Sequence, residues 1–144
     1  MDYSNLANEL LEKMHSFRRA KPQKSIDESL QGEAFVLHYL AQHGEGVLPG
    51  EISNEMRVSS ARIAQTLNNI EKKGWITRQI DTNDRRRILV NLTPEGKTAA
   101  EKHHQAISNL AIKILSMLGE HDAKEYVRIM GRLAELLPNC DKLI

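Results

Sequence analysis

Three consecutive arginines, Arg85, Arg86 and Arg87, stand inside the stretch DTNDRRRILVNLTPEGK, with Asp81 and Asp84 before them and alternating Ile88, Val90 and Leu92 after. Each guanidinium presents five donors in a fixed fork, a geometry matched to phosphate. Upstream, Ser60, Ala61, Arg62, Gln65, Thr66 and Asn69 form a second polar set at helical spacing, and no carboxylate is among them. Small, hydrogen-bonding and cationic side chains on one helix face suit the edges of bases, where a carboxylate would be repelled by the neighbouring phosphates. Taken alone, that face could equally be the solvated side of any amphipathic helix.

The distribution of charge favours the first reading. The formal net charge is only +1. From Arg57 to Val90, however, eight Lys or Arg stand against three acids, a surplus of five that leaves the rest of the chain at −4. A basic middle between acidic ends describes a polyanion-facing module on a scaffold that faces elsewhere.

The elements that position these residues follow from periodicity. Leu6, Leu10, Leu11, Met14 and Phe17 make the stripe of a helix over 3–19, and AKPQKSIDES is expected to be a loop. A second helix is expected from about Leu30 to His43, closed by Gly44. Pro49 opens a short helix bearing Ile52 and Met56, and Ser59 caps the next, whose stripe is Ile63, Leu67 and Ile70 and which Gly74 ends. WITRQI and RILVNL alternate as strands, so the polar run between them is the loop of a hairpin that the apolar strands brace. Thr93 and Pro94 start a long helix reaching Leu118, and a last helix covers about His121 to Leu137.

Two short helices joined by a tight turn and followed by a hairpin make a helix-turn-helix with a wing. The second helix of such a pair enters the major groove, and arginines at the wing tip reach phosphates or a narrow minor groove. Asp81 and Asp84 are expected to bond turn backbone or to orient the arginines beside them. The fold class is therefore mainly α with a small β-wing, in one domain over 1–144: a DNA-binding module at 30–92, with dimerisation helices at 1–20 and 94–144. The terminal helices are too rich in Leu, Ile and Met for one small module to cover, which implies a second chain. Two-fold symmetry then predicts a pseudo-palindromic site on double-stranded DNA, its half-sites roughly 34 Å apart.

Composition bounds the alternatives. A mean hydropathy of −0.48 argues against a membrane span. A single cysteine, Cys140, and an opening that reads as an amphipathic helix rather than a leader point to the cytoplasm. His103, His104 and His121 with Glu101 or Asp122 could in principle do acid–base work, but no nucleophile elbow or Gly-rich phosphate loop accompanies them, so no enzyme and no cofactor are expected.

The pair of helices from Leu48 to Lys73, the junction EKKGWI, the wing DTNDRRRILVNLTPEGK and the long helix behind it closely resemble the MarR family of winged-helix transcriptional regulators. The combination of DxxDRR with LTPEG at this spacing carries the resemblance, which covers nearly the whole chain. It implies a homodimer in which the first and the last two helices of each chain intertwine, and repression usually relieved by a small molecule. By position it implies that Ser59, Ser60, Ala61, Arg62, Gln65, Thr66, Asn69 and Lys73 lie on DNA, with Arg85 inserted in the minor groove and Arg86 and Arg87 beside it. Arg86 matches a wing arginine that in many members pairs with an aspartate on the recognition helix. That helix position is Asn68 here, so a neutral hydrogen bond is expected instead. Arg57 stands where a glycine is common in the turn.

For sensing, the resemblance implies a pocket between the winged module and the dimerisation helices that admits aromatic acids and drug-like compounds. His15, Phe17, Arg18, Phe35 and Tyr39 are its candidate lining, and each could equally fill the core. Zinc on His103 and His104, with His38 or Glu33, is disfavoured, since the adjacent histidines point to different helix faces and Ala34 stands where zinc-sensing relatives carry a histidine beside Glu33. Cys140 lacks an electropositive setting and is expected to be inert rather than a redox switch. A winged-helix protein-interaction module without DNA binding is the remaining alternative.

Overall fold

The computed structural model describes residues 1–138; Cys140 lies outside the described residues. In chain order the elements are α1 (Ser4–Arg19), α2 (Lys21–Ser29), α3 (Gly32–His43), α4 (Pro49–Met56), α5 (Ser60–Lys72), β1 (Ile76–Ile80), β2 (Ile88–Leu92), α6 (Pro94–Leu118) and α7 (Glu120–Leu136). Residues Met1–Ile107 form one compact unit and the chain from Ser108 onward a second, with α6 running through the boundary.

The expected loop at 20–29 is a helix. Ala20 is extended, with φ −65° and ψ 131°, and this single residue separates α1 from α2. Pro22 then falls in the first turn, where its missing N–H leaves no bond unmade, and Gln23 donates to Asp27 one turn on at 3.0 Å. Polar composition concealed a helix that local bonds and a permissive proline support.

The core of the first unit is the stripe read from α5 set against its neighbours. Val36 and Leu40 of α3, Val47, Ile52 of α4, Ile63, Leu67 and Ile70 of α5, Ile76 of β1 and Val90 of β2 are buried together. The two strands pair antiparallel from Ile76 with Leu92 to Ile80 with Ile88. Val47 adds a bridge that the sequence did not reveal: its N–H donates to the Val90 carbonyl at 3.1 Å and its carbonyl accepts from Val90 at 2.8 Å. The Gly46 N–H donates to Asn91 Oδ1 at 2.6 Å, so the hairpin is hydrogen-bonded to the segment entering α4.

A smaller cluster of Leu37, Ala99 and Ala100 seats the first half of α6, with Trp75 and Leu92 packed against both clusters. The LTPEG motif builds this junction. The Thr93 hydroxyl donates to the Gly74 carbonyl at 2.6 Å and accepts from the Gly96 N–H at 3.0 Å, capping α6 while holding it to the end of α5. Gly96 is there because nothing larger fits: a Cβ would lie 1.9 Å from the Trp75 carbonyl oxygen.

Candidate nucleic-acid interface

The turn between α4 and α5 is tight because Arg57 adopts the left-handed conformation, φ 54° and ψ 46°. It is the sole non-glycine residue with positive φ among the described residues. The sequence departure at this position thus carries real backbone strain, on the order of 1–2 kcal/mol. Ser59 caps α5 as expected, accepting the Arg62 N–H at 3.2 Å.

Burial of Ile63, Leu67 and Ile70 turns the opposite face of α5 outward. Ser60, Ala61, Arg62 and Gln65 are exposed, whereas Thr66 and Asn69 are half-buried at the edges of that face. The Thr66 hydroxyl is occupied by the Arg62 carbonyl at 3.0 Å, and Gln65 donates to Asn69 Oδ1 at 3.4 Å. The Arg62 guanidinium has no partner among the described residues, so it is free to meet a ligand. Lys73 is placed differently from the expectation that grouped it with these residues. Its ammonium pairs with Glu33 Oε2 of α3 at 2.6 Å and sits 4.9 Å from the Trp75 ring centroid. It fastens α5 to α3 rather than extending the outward face.

The wing tip is stiffened by its acids. The Asp81 carboxylate accepts the Asn83 N–H at 2.9 Å, and Asp84 accepts the Arg86 N–H at 3.1 Å. Backbone bonds from Asp81 to the Arg87 carbonyl and from Arg87 to the Asp84 carbonyl, both 2.9 Å, close the loop. Side chains are committed too: Arg86 Nε reaches Asp84 Oδ1 at 3.2 Å, and Arg87 Nε lies 3.8 Å from Asp81 Oδ2. The Arg86 side chain, and then its backbone N–H, hold the Asp84 carboxyl below the usual carboxylate range. Of the three arginines only Arg85 has no partner among the described residues. The strands do not brace this end by burial, as the sequence suggested they would. Ile80 and Ile88 face each other across the hairpin but are 66% and 44% exposed, so the loop owes its shape to hydrogen bonds.

The contact between wing and helix also differs from the expected one. Arg86 does not reach Asn68. Arg78 of β1 takes that place, donating from Nη2 to Asn68 Oδ1 at 2.7 Å and to Glu71 Oε1 at 2.9 Å, and from Nε to Glu71 Oε2 at 3.0 Å. This fork on Glu71 lowers the carboxyl's pKa and raises that of the guanidinium. Sequence reasoning passed over Arg78, although a signal was present. Arg78 falls in the same strand register as the buried Ile76, and Asn68 and Glu71 are spaced three apart on one helix face.

The residues proposed for a small-molecule pocket are only partly assembled. Phe35 and Tyr39 stack at 6.2 Å, and Tyr39 stacks in turn on His43 at 3.8 Å, packing against the core. His15, Phe17 and Arg18 are exposed on α1 and line none of three clefts around α3, whereas Phe35 lines two of them. No group of three or more metal-ligating side chains is present among the described residues.

A carboxylate-free helix face, a tight left-handed turn and a hairpin with one free arginine at its tip are the parts of a winged helix. The family model described as winged helix DNA-binding domain matches residues 33–111, more than half the chain. The chain belongs to this family, among the MarR-type regulators. An uncharacterised HTH-type transcriptional regulator of Bacillus subtilis, YwhA, is 27% identical over 142 residues, covering 94% of this chain and all of the relative. The B. subtilis HTH-type transcriptional repressor MdtR is 28% identical over 130 residues, covering 88% of this chain and 83% of the relative. Among solved structures, YusO from B. subtilis superposes with a TM-score of 0.72 at 25% identity, over 94% of this chain and 99% of that one. The winged-helix chain is accordingly a transcriptional regulator, as members of its family are, and not an enzyme.

Proposed function

We propose that this winged-helix regulator is a homodimeric repressor that binds a pseudo-palindromic operator in double-stranded DNA and is released by a small-molecule effector. In this reading Ser59, Ser60, Ala61, Arg62, Gln65, Thr66 and Asn69 face the major groove. Arg85 enters the minor groove, while Arg86 and Arg87 shape the loop and add positive potential. Arg78 sets the angle between helix and wing, and Lys73 is withdrawn from the DNA-facing set. The module spans 30–92, and 1–20 with 94–144 serve dimerisation.

The single observation that carries the proposal is the free guanidinium of Arg85, left unpaired at the tip of a loop whose other two arginines are held by Asp84 and Asp81. Water satisfies this exposed guanidinium in the free protein, and a phosphate-lined groove would take the place of that water. Dimerisation is supported by the apolar residues that α1 and α7 leave exposed, among them Leu10, Leu11, Tyr126 and Leu133. Repression is supported by the name of the relative MdtR. No helix among the described residues is long and apolar enough to cross a membrane.

Salt dependence tests the proposal. Binding of a duplex carrying the operator should weaken steeply with salt, and Arg85→Ala should lower affinity and reduce the slope of log K against log salt by about 1 per protomer. An unchanged slope would remove the wing from the contact surface. Replacing Arg62 should alter sequence preference more than nonspecific affinity, and uniform weakening on every sequence would deny it a base-reading role.

A further inference from the structure

The turn between α4 and α5 closes through its backbone alone. The Arg57 N–H donates to the Asn54 carbonyl at 3.3 Å and the Val58 N–H to the Ser53 carbonyl at 3.1 Å, bonds that a glycine in place of Arg57 would make equally. Glycine would also reach φ 54° and ψ 46° without strain, whereas a residue with a Cβ is held there against its preference. The Arg57 side chain makes no compensating polar contact: it is exposed, and its guanidinium has no hydrogen bond or ion pair among the described residues. Strained backbone of this kind clusters where a side chain is needed for a ligand.

Arg57 borders a cleft of about 420 Å³ within the first unit. Leu30, Gln31 and Phe35 line it from the start of α3, and Glu55, Arg57 and Arg62 from the turn and the helices on either side of it. Two guanidiniums therefore stand against one carboxylate. Glu55 pairs with neither arginine, although it is two residues from Arg57, so the cleft keeps a surplus positive charge. Because Arg62 belongs to the outward face of α5 as well, the cleft adjoins the carboxylate-free face assigned above to the major groove. The flank of that groove is a row of phosphates.

We propose that Arg57 is a phosphate anchor, its guanidinium binding one phosphodiester of the strand that flanks the groove entered by α5. The planar fork of donors suits two phosphate oxygens at once. The proposal rests on the DNA-binding reading above and adds to it a contact that neither the outward face of α5 nor the wing supplies. It also gives the left-handed arginine a purpose: glycine would close the turn without strain and leave no cation for the backbone of the duplex. A phosphate carries no sequence information, so the anchor strengthens binding to every sequence alike, whereas Arg62 beside it discriminates among bases.

The full chain is tested on two probes, a duplex recovered from a random pool and a shuffled duplex of the same length and composition. Arg57→Gly and Arg57→Asn both tolerate the left-handed turn, so each should melt no lower than wild type and be folded. Each should bind both duplexes about tenfold more weakly, with the slope of log K against log salt reduced by about 1 per protomer. Arg57→Lys, which keeps the charge and the strained backbone, should keep the slope. Ethylation interference on the selected duplex should show one phosphate per half-site that matters to wild type and no longer to Arg57→Gly, with the other protected phosphates unchanged. An unchanged slope in Arg57→Gly, a slope that falls equally in Arg57→Lys, or weakening confined to the selected duplex overturns the anchor. If Arg85→Ala lowers the slope while Arg57→Gly does not, the DNA-binding reading stands without it. Wild type that binds neither duplex removes both.

Discussion

The winged module and the terminal helices treat the same kinds of side chain in opposite ways. In the module, Leu37, Leu40, Ile52, Ile63, Leu67 and Ile70 are essentially inaccessible to solvent. In α1 and α7 no residue is buried at all, although Leu11 is 64% exposed and Met130 50%. Full burial of one such side chain stabilises by about 1.5–3 kcal/mol. The module therefore covers its own apolar residues, and the terminal helices leave theirs open, as the proposed dimer requires.

Charging the second region should give the largest effect. Leu10→Glu together with Leu133→Glu is expected to shift the protein from dimer to single chain in analytical ultracentrifugation and to abolish operator binding. Far-ultraviolet circular dichroism of the module should be retained. A dimer that persisted would show that these stripes serve some other purpose. The next effect lies where the module meets α6. Gly96→Ala forces a methyl group into the Trp75 carbonyl and should cost about 3 kcal/mol in denaturant unfolding. A neutral substitution would mean that the junction is looser than the hydrogen bonds of Thr93 indicate.

Smaller effects sharpen the module's side of the comparison. Arg78→Ala is expected to lower stability by about 1 kcal/mol, the upper range for a partly exposed ion pair, and to shrink the effect of Arg85→Ala on DNA affinity, since a wing no longer fixed to α5 delivers its arginine less well. Additivity of the two substitutions would place no coupling through Arg78. The contribution has a pH signature. Glu71 has a folded pKa below its ordinary value, so the pair's stabilisation is present above the usual carboxylate range and is lost as pH falls through the depressed value. The stability gap between wild type and Arg78→Ala should thus close in acid. A gap that widened there would contradict the assignment. Smallest of all, Arg57→Gly should relieve the left-handed turn and, after the chain entropy that glycine adds, raise stability by about 0.5 kcal/mol, seen as a rise in Tm of about 2 °C.

Much of the module was legible because its signals are local. The i, i+4, i+7 stripe of Ile63, Leu67 and Ile70, the Ser59 cap and the strand alternation each depend on near neighbours, and the structure has them all. What escaped depends on distance. The Val47 bridge, the Lys73 pair with Glu33 and the fork of Arg78 join residues whose meeting is decided by how elements pack. Positional resemblance led to Arg86 and Asn68 as partners, yet Asp84 is two residues from Arg86 and claims it first. Helix α2 was hidden for another reason: its apolar content is too low for periodicity to register, and its proline sits where proline does no harm. The apolar wing strands misled by composition alone, because alternation says which residues share a face but not whether anything covers it.

Recovery of bound fragments from a random duplex pool tests the central claim most directly, because it reads function, symmetry and spacing together. The account predicts an enriched inverted repeat whose half-site centres lie about one helical turn, roughly 34 Å, apart, with a different sequence recovered by the Arg62 variant and weaker recovery by the Arg85 variant. A pool returned without enrichment, or enriched for one undivided site bound by a lone chain, would contradict it.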